Sequence, residues 1–235
     1  MSVAALVLGA GRGERLGTDA PKAFVPLLGR PILLHALEAL AACPALDRLV
    51  PVVPAEELAG LARWGAELGA IPRLAAAVVG GAERQDSVRA GLRALPGDVS
   101  FVAVHDAARP LVRAADVARV VAAAREHGAA LLAVRVRDTL KRVRGGGVVE
   151  TLLRDECWAA QTPQVFRRDW LAEALAKAEA DGFLGTDDAQ LVERLGLPVR
   201  VVEGDPANLK ITFPEDLVLA EARLRERAAA RGAAR

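Results

Sequence analysis

Six short runs of apolar residues constrain this chain most: Val3–Leu8, Arg48–Val53, Leu74–Val79, Val99–Val104, Ala129–Val136 and Val199–Glu203. A strand with one wet face alternates apolar and polar side chains, whereas a strand covered on both faces reads as a continuous apolar run. Between the runs lie amphipathic stretches near Pro31–Ala42, Ala55–Gly65, Arg84–Ala94, Ala114–Glu126 and Arg168–Ala180, with apolar residues at helical spacing. Strand and helix in alternation imply an open three-layer α/β domain whose mostly parallel sheet carries helices on both faces. The 235 residues suit a single domain over 1–235 and suffice for a full core. Pro51 falls inside the second run; it cannot donate to a ladder, so that strand is expected to be short or near an edge.

One segment breaks the alternation. Asp138 to Arg154 has two short β-prone arms around Gly145-Gly146-Gly147, a hairpin signature in which glycine supplies the turn. Its charged residues leave too little apolar surface for a core, so it is either a solvated flap or an arm that reaches another subunit. A lone hairpin is marginally stable, which favours packing against something. The stretch from Phe213 to Arg235 opens with Pro214-Glu215-Asp216, a good helix entry.

The net charge of +1 gives no general attraction to nucleic acid or to an anionic membrane, so any anion must be bound locally. Cys43 and Cys157 match no metal spacing and read as reduced thiols of a cytoplasmic protein. No basic residue precedes the first apolar run and Gly9 cuts it short, so no signal peptide is expected, nor any membrane span.

Three segments can carry chemistry. After the first run come Gly9-Ala10-Gly11-Arg12-Gly13-Glu14-Arg15 and then Pro21-Lys22. Glycine lets backbone N–H groups approach an anion closely, and Arg15 and Lys22 add charge suited to a triphosphate. The loop lacks the Gly-Lys-Ser/Thr of a Walker motif and fits the dinucleotide fingerprint poorly, with Glu14 where a third glycine belongs. A tight turn without ligand would also explain the glycines, but not the cations. The second segment, His105-Asp106-Ala107-Ala108-Arg109-Pro110, follows another run, where α/β sheets bind ligands. Asp106 suits a divalent cation or a substrate hydroxyl; a structural pair with Arg109 is the alternative. The third, Gly80-Gly81 through Ser87, is either a helix cap or a surface on which a flat base lies against backbone. Thr186-Asp187-Asp188 reads as a helix start, and Asn208-Leu209-Lys210-Ile211-Thr212 places a lysine in a β-like segment.

Taken in order, L-x-A-G-x-G-x-R with P-K, D-A-A-R-P, R-D-T-L-K, Q-T-P-Q, T-D-D and N-x-K-I-T-x-P-E-D-L resemble the 2-C-methyl-D-erythritol 4-phosphate cytidylyltransferase family from about residue 3 to 222. The resemblance implies a Rossmann-like nucleotidyltransferase fold with a protruding β-hairpin arm at 138–154, a homodimer formed by arm exchange, and dependence on Mg²⁺ or another divalent cation. It implies transfer of CMP from CTP to 2-C-methyl-D-erythritol 4-phosphate, giving 4-diphosphocytidyl-2-C-methyl-D-erythritol and pyrophosphate by in-line attack of the substrate phosphate on the α-phosphorus. It assigns catalysis to Arg15, Lys22, Arg154 and Lys210, and nucleotide binding to Gly9, Ala10, Gly11, Gly13, Gly81, Ser87 and Asp106. Substrate contacts fall on Asp106, Arg109, Thr139, Thr162 and Thr186, with Asp106 also a metal ligand although phosphates would hold most of the metal. Ala82 stands where some relatives carry Asp, so a base contact there must come from backbone. Some relatives continue into a fused second enzyme; the length here leads us to expect the single enzyme.

The residues agree with that chemistry. A phosphate monoester is already nucleophilic at neutral pH, so the obstacle is bringing one anion onto another, which positioning and fixed cations overcome. The competing readings are a cytidylyltransferase for another polyol phosphate such as ribitol 5-phosphate, a nicotinamide-dependent oxidoreductase, and a nucleotide sensor without turnover.

Overall fold

The six apolar runs all become strands of one sheet, joined by a seventh that the apolar pattern does not announce. The computed structural model describes residues 1–11, 16–17 and 20–233. In chain order the elements are β1 (Ser2–Leu8), β2 (Pro26–Leu27), β3 (Arg30–Pro31), α1 (Ile32–Ala41), β4 (Arg48–Val53), α2 (Ala55–Leu58), α3 (Gly65–Gly69), β5 (Val78–Val79), α4 (Arg84–Arg93), β6 (Val99–Asp106), α5 (Ala114–His127), β7 (Ala129–Arg135), β8 (Lys141–Arg144), β9 (Gly147–Thr151), β10 (Trp158–Arg167), α6 (Arg168–Ala180), α7 (Asp188–Glu193), β11 (Arg200–Glu203) and α8 (Pro214–Ala233). The sheet order is β11-β7-β10-β6-β1-β4-β5. Every neighbouring pair is parallel except the two made by β10, which runs antiparallel to β6 and β7.

The period of two along β1 divides the core. Val3, Ala5 and Val7 pack on one face with Leu33, Leu37 and Leu40 of α1 and Val117, Val120 and Val121 of α5. Ala4 and Leu6 pack on the other with Val88 and Leu92 of α4 and Leu171 and Leu175 of α6. Full burial of each large aliphatic side chain contributes about 1.5–3 kcal/mol. A smaller cluster joins Leu16, Val25, Leu27, Ile32 and Leu111 to Ile211 and to Ala220 of α8, so the C-terminal segment is docked beside the N-terminal one. Among the described residues no helix is long and apolar enough to cross a membrane.

Three expectations need correction. The run Leu74–Val79 yields only β5 and a lone bridge from Leu74 to Leu49, because Ala75, Ala76 and Ala77 offer little surface to pack. The stretch Ala55–Gly65 is not one helix but α2, a 3-10 turn Gly60–Trp64, and then α3, its glycines being poor helix formers. The apolar pattern also has no counterpart for β10. Pro51, by contrast, sits as expected near an edge, in the second strand from it. Leu49 N–H donates to Arg73 O on the β5 side, so the nitrogen of residue 51 faces that side too, where β5 has not yet begun. No ladder bond is lost there.

β4 and β6 flank β1 on opposite sides, so the chain switches direction across the sheet between them, opening a crevice at the carboxyl ends of β1 and β6. β8 and β9 form a separate two-stranded hairpin. Its turn holds Gly145 and Gly146 at φ 55° and 79°, a left-handed pair for which glycine is suited. Every residue of both strands is exposed.

Candidate active site

The crevice is a cleft of about 590 Å³ built from all three glycine- and charge-bearing segments. Gly9, Ala10 and Gly11 form one wall, Gly81 to Arg84 and Ser87 the other, and Lys22, Asp106 and Lys210 complete it. Gly9 N–H donates to Val52 O at 2.7 Å, which ties the first loop to β4. The two walls touch because of Gly80: a Cβ there would lie 2.5 Å from Ala10 Cβ and 2.7 Å from Ser87 Oγ, too close for any side chain. Next to it, Gly81 N–H donates to Ser87 Oγ at 3.1 Å. Glu83 and Asp86 cap α4 reciprocally, so its first turn is firmly built.

Asp106, at the end of β6, is 9% exposed and faces three cations. Lys210 Nζ lies 2.8 Å from Oδ2, Arg84 Nε 3.6 Å from Oδ1 and Arg109 Nε 3.9 Å from Oδ2. Burial alone pushes a carboxyl up; here Lys210, Arg84 and Arg109 more than offset it and hold Asp106 well below the usual carboxylate range. Arg84 also pairs with Asp188 of α7 at 2.7 Å. Burial pushes the Asp188 carboxyl up, against the pull of Arg84. The cleft therefore offers backbone amides, Lys22 and Lys210 for anions, and a carboxylate that stays ionised.

Gly9, Ala10, Gly11, Lys22, Gly81, Ser87, Asp106 and Lys210 thus meet in one place. Gly13 and Arg15 lie outside the described residues. Arg109 sits beside Asp106, but its guanidinium donates to the carbonyls of Asn208 (2.8 Å) and Ala160 (3.3 Å), so it braces the Lys210 loop. Asn208 Nδ2 donates to Thr162 O and Ile211 N–H to Ala108 O, which pins that loop further. Thr162 is 5% exposed on β10, behind Asp106. Thr186 is exposed just before α7, its hydroxyl donating to Gln190 Oε1. The loop before it is held to α4 by Gly185 N–H donating to Gln85 Oε1. Thr139 and Arg154 are not brought to the cleft; they line a separate groove at the foot of the hairpin with Leu152, Leu153, Asp155 and Glu156. The residue that sequence reasoning misses is Arg84. In the sequence it is only part of a cap, and its one signal is its place three residues beyond a glycine pair that ends a strand.

A family model described as 2-C-methyl-D-erythritol 4-phosphate cytidylyltransferase (IspD) matches residues 3–226. A protein of that description from Symbiobacterium thermophilum is similar to this chain at 47% identity over 227 residues, covering 96% of this chain and 94% of the relative. A crystal structure of the enzyme of that description from Thermus thermophilus aligns with a TM-score of 0.75 at 38% identity, covering 96% of this chain and 100% of its own. The crystal structure of a 4-diphosphocytidyl-2C-methyl-D-erythritol synthase from Anaerococcus prevotii aligns with a TM-score of 0.84 at 28% identity, covering 95% and 98%. Model, relative and structures agree over nearly the whole length, and the chain belongs to the 2-C-methyl-D-erythritol 4-phosphate cytidylyltransferase family.

Proposed function

We propose that this protein transfers CMP from CTP to 2-C-methyl-D-erythritol 4-phosphate, giving 4-diphosphocytidyl-2-C-methyl-D-erythritol and pyrophosphate. The observation that carries the reading is the convergence of glycine backbone, Lys22 and Lys210 around the ionised carboxylate of Asp106. A phosphate oxygen of the polyol attacks the α-phosphorus of CTP, the new P–O bond forms, and the bond from the α-phosphorus to the bridging oxygen of pyrophosphate breaks. No base is required, because the nucleophile is already an anion. The backbone of Gly9 to Gly11 cradles the triphosphate, and Lys22 offsets charge as it builds on the α-phosphate. Gly81 and Ser87 face the base from the opposite wall, through backbone because Ala82 offers no polar side chain. Lys210 carries the incoming phosphate beside Asp106.

The donor set fits a divalent cation that arrives on the nucleotide. Among the described residues no cluster of three or more His, Cys, Asp or Glu forms a protein cage. Asp106, ionised and at the cleft wall, is a suitable single carboxylate for Mg²⁺, which keeps few protein ligands when phosphates supply the rest. When bound, the ion offsets phosphate charge; Asp106 would hold it.

Thr139 and Arg154 act, in this reading, in the cleft of a second copy of the chain. Two observations support it: these residues lie in their own groove at the hairpin foot, and Val143, Val148, Val149 and Leu153 are 56%, 64%, 56% and 70% exposed. A two-fold dimer exchanging hairpins buries those side chains and completes both sites. Steady-state release of pyrophosphate with CTP and each polyol phosphate tests the assignment. Preference for 2-C-methyl-D-erythritol 4-phosphate is expected, and preference for ribitol 5-phosphate would overturn it.

A further inference from the structure

Behind Asp106 runs a short chain of hydrogen bonds whose direction can be worked out. Asp106 N–H donates to Thr162 Oγ1 at 3.0 Å, between β6 and β10. Thr162 Oγ1 lies 3.0 Å from His105 Nδ1. His105 Nε2 lies 3.1 Å from the carbonyl of Arg109. A carbonyl only accepts, so Nε2 carries a hydrogen. His105 is fully buried, with its ring nitrogens engaged by a hydroxyl and a carbonyl. A buried imidazolium so surrounded is costly, and in the neutral ring Nδ1 is then the acceptor. The hydrogen between Thr162 and His105 therefore belongs to Thr162, and a hydroxyl has only one to give. Arg109 N–H donates to Asp106 O at 3.0 Å, which closes the same turn from inside.

We propose that His105 is a positioning residue for the transfer reaction: as the Nε2–H tautomer it takes the hydroxyl hydrogen of Thr162, orients that oxygen to accept the Asp106 N–H, and so fixes the turn that presents the Asp106 carboxylate. Thr162 then serves substrate through Asp106 and has no hydrogen left for a phosphate. The role in turnover rests on the function proposed above; the hydrogen-bond assignment does not.

Two measurements test it on the intact protein. The first is nitrogen-15 spectroscopy of histidine-labelled protein, in which an H105Q variant identifies the His105 signals among the three histidines. The Nε2–H tautomer with a hydrogen-bonded Nδ1 is expected, with and without CTP. An Nδ1–H tautomer or an imidazolium overturns the proposal. The second is the kinetics of T162V and T162S. With T162V, kcat falls about 10–100-fold, as for loss of one buried hydrogen-bond partner, while KM for the polyol phosphate stays within about 2-fold. T162S recovers most of the lost rate. A raised KM for the polyol phosphate at unchanged kcat would mean that Thr162 gives its hydrogen to substrate, and overturns the proposal. The tautomer is read without turnover, so failure of the wild-type protein to use this substrate pair would sink the functional reading alone, and the spectrum would still decide the assignment.

Discussion

In the cleft, Asp106 touches Lys210, Arg84 and Arg109 and is almost closed to solvent, whereas every residue of the hairpin strands β8 and β9 lies open. The hairpin's own ion pair, Arg142 to Glu150 at 2.9 Å, is between side chains 59% and 47% exposed. The cleft is thus organised by contacts within one chain, and its charges act at reduced solvent screening. The hairpin has a fixed turn and register but no core of its own. The contrast teaches that the cleft is held together by contacts within one copy, whereas the hairpin strands have no surface of their own copy to pack on.

The largest effect that would sharpen this contrast is at Lys22. We predict that Lys22→Ala lowers kcat by about 10²–10³-fold, the usual cost of removing a fixed donor at developing charge. Near-normal pyrophosphate release would remove Lys22 from the catalytic group. The second is a pH effect to which the cleft side contributes through His105. Burial pushes the His105 imidazole down from 6.5 to about 4. Between those values the unfolded chain binds the proton and the folded one does not, so stability is present above pH 6.5 and is lost as pH falls towards 4. The loss is on the order of 3 kcal/mol. Asp106 is held low, so its own contribution is lost only as pH falls below the ordinary carboxylate range. Urea unfolding across this interval reads the slope, and His105→Gln should reduce it, leaving the part owed to His35, whose imidazole burial also pushes down; an unchanged slope would assign the whole effect elsewhere.

Arg154→Ala comes third. It should raise KM for the polyol phosphate by about 10–100-fold, as for loss of a charged hydrogen bond, and leave CTP affinity unchanged. If sites are shared between copies, mixing this variant with Lys22→Ala restores activity once subunits exchange. Weakened CTP binding, or no recovery after proven exchange, would break the division between the two regions. The smallest effect is Glu150→Gln on the hairpin, predicted to change unfolding stability by less than about 1 kcal/mol because the pair it breaks is solvated. A larger loss measured at dimer-forming concentration would mean that this pair is buried between copies.

The sheet was legible because both of its faces are covered, and continuous apolar runs survive as a signal. β10 was not, for a physical reason. Its middle reads Gln161-Thr162-Pro163-Gln164, and those polar side chains are buried because each finds a partner in a neighbouring segment: Gln161 donates to Asp205 O, Thr162 accepts from Asp106, and Gln164 holds Asp187 and Ala189. A strand whose side chains bond neighbouring segments loses the apolar pattern by which strands are found. The cleft's members were legible as separate motifs, but nothing in the spacing of Arg84 distinguished a cap neighbour from a cation beside Asp106. Thr139 and Arg154 illustrate another limit. Their distance along the chain from the other motifs does not say whether they reach the cleft, and in the single copy they line a groove of their own.

The docking of the Lys210 loop bears on how the protein is made. Asn208 bonds to Thr162 O and Ile211 to Ala108 O, so the loop has nowhere to sit until β6 and β10 are in place. Asp106 therefore meets its closest cation only after the antiparallel step between β6 and β10 has formed, so this ion pair registers completed tertiary structure rather than local folding.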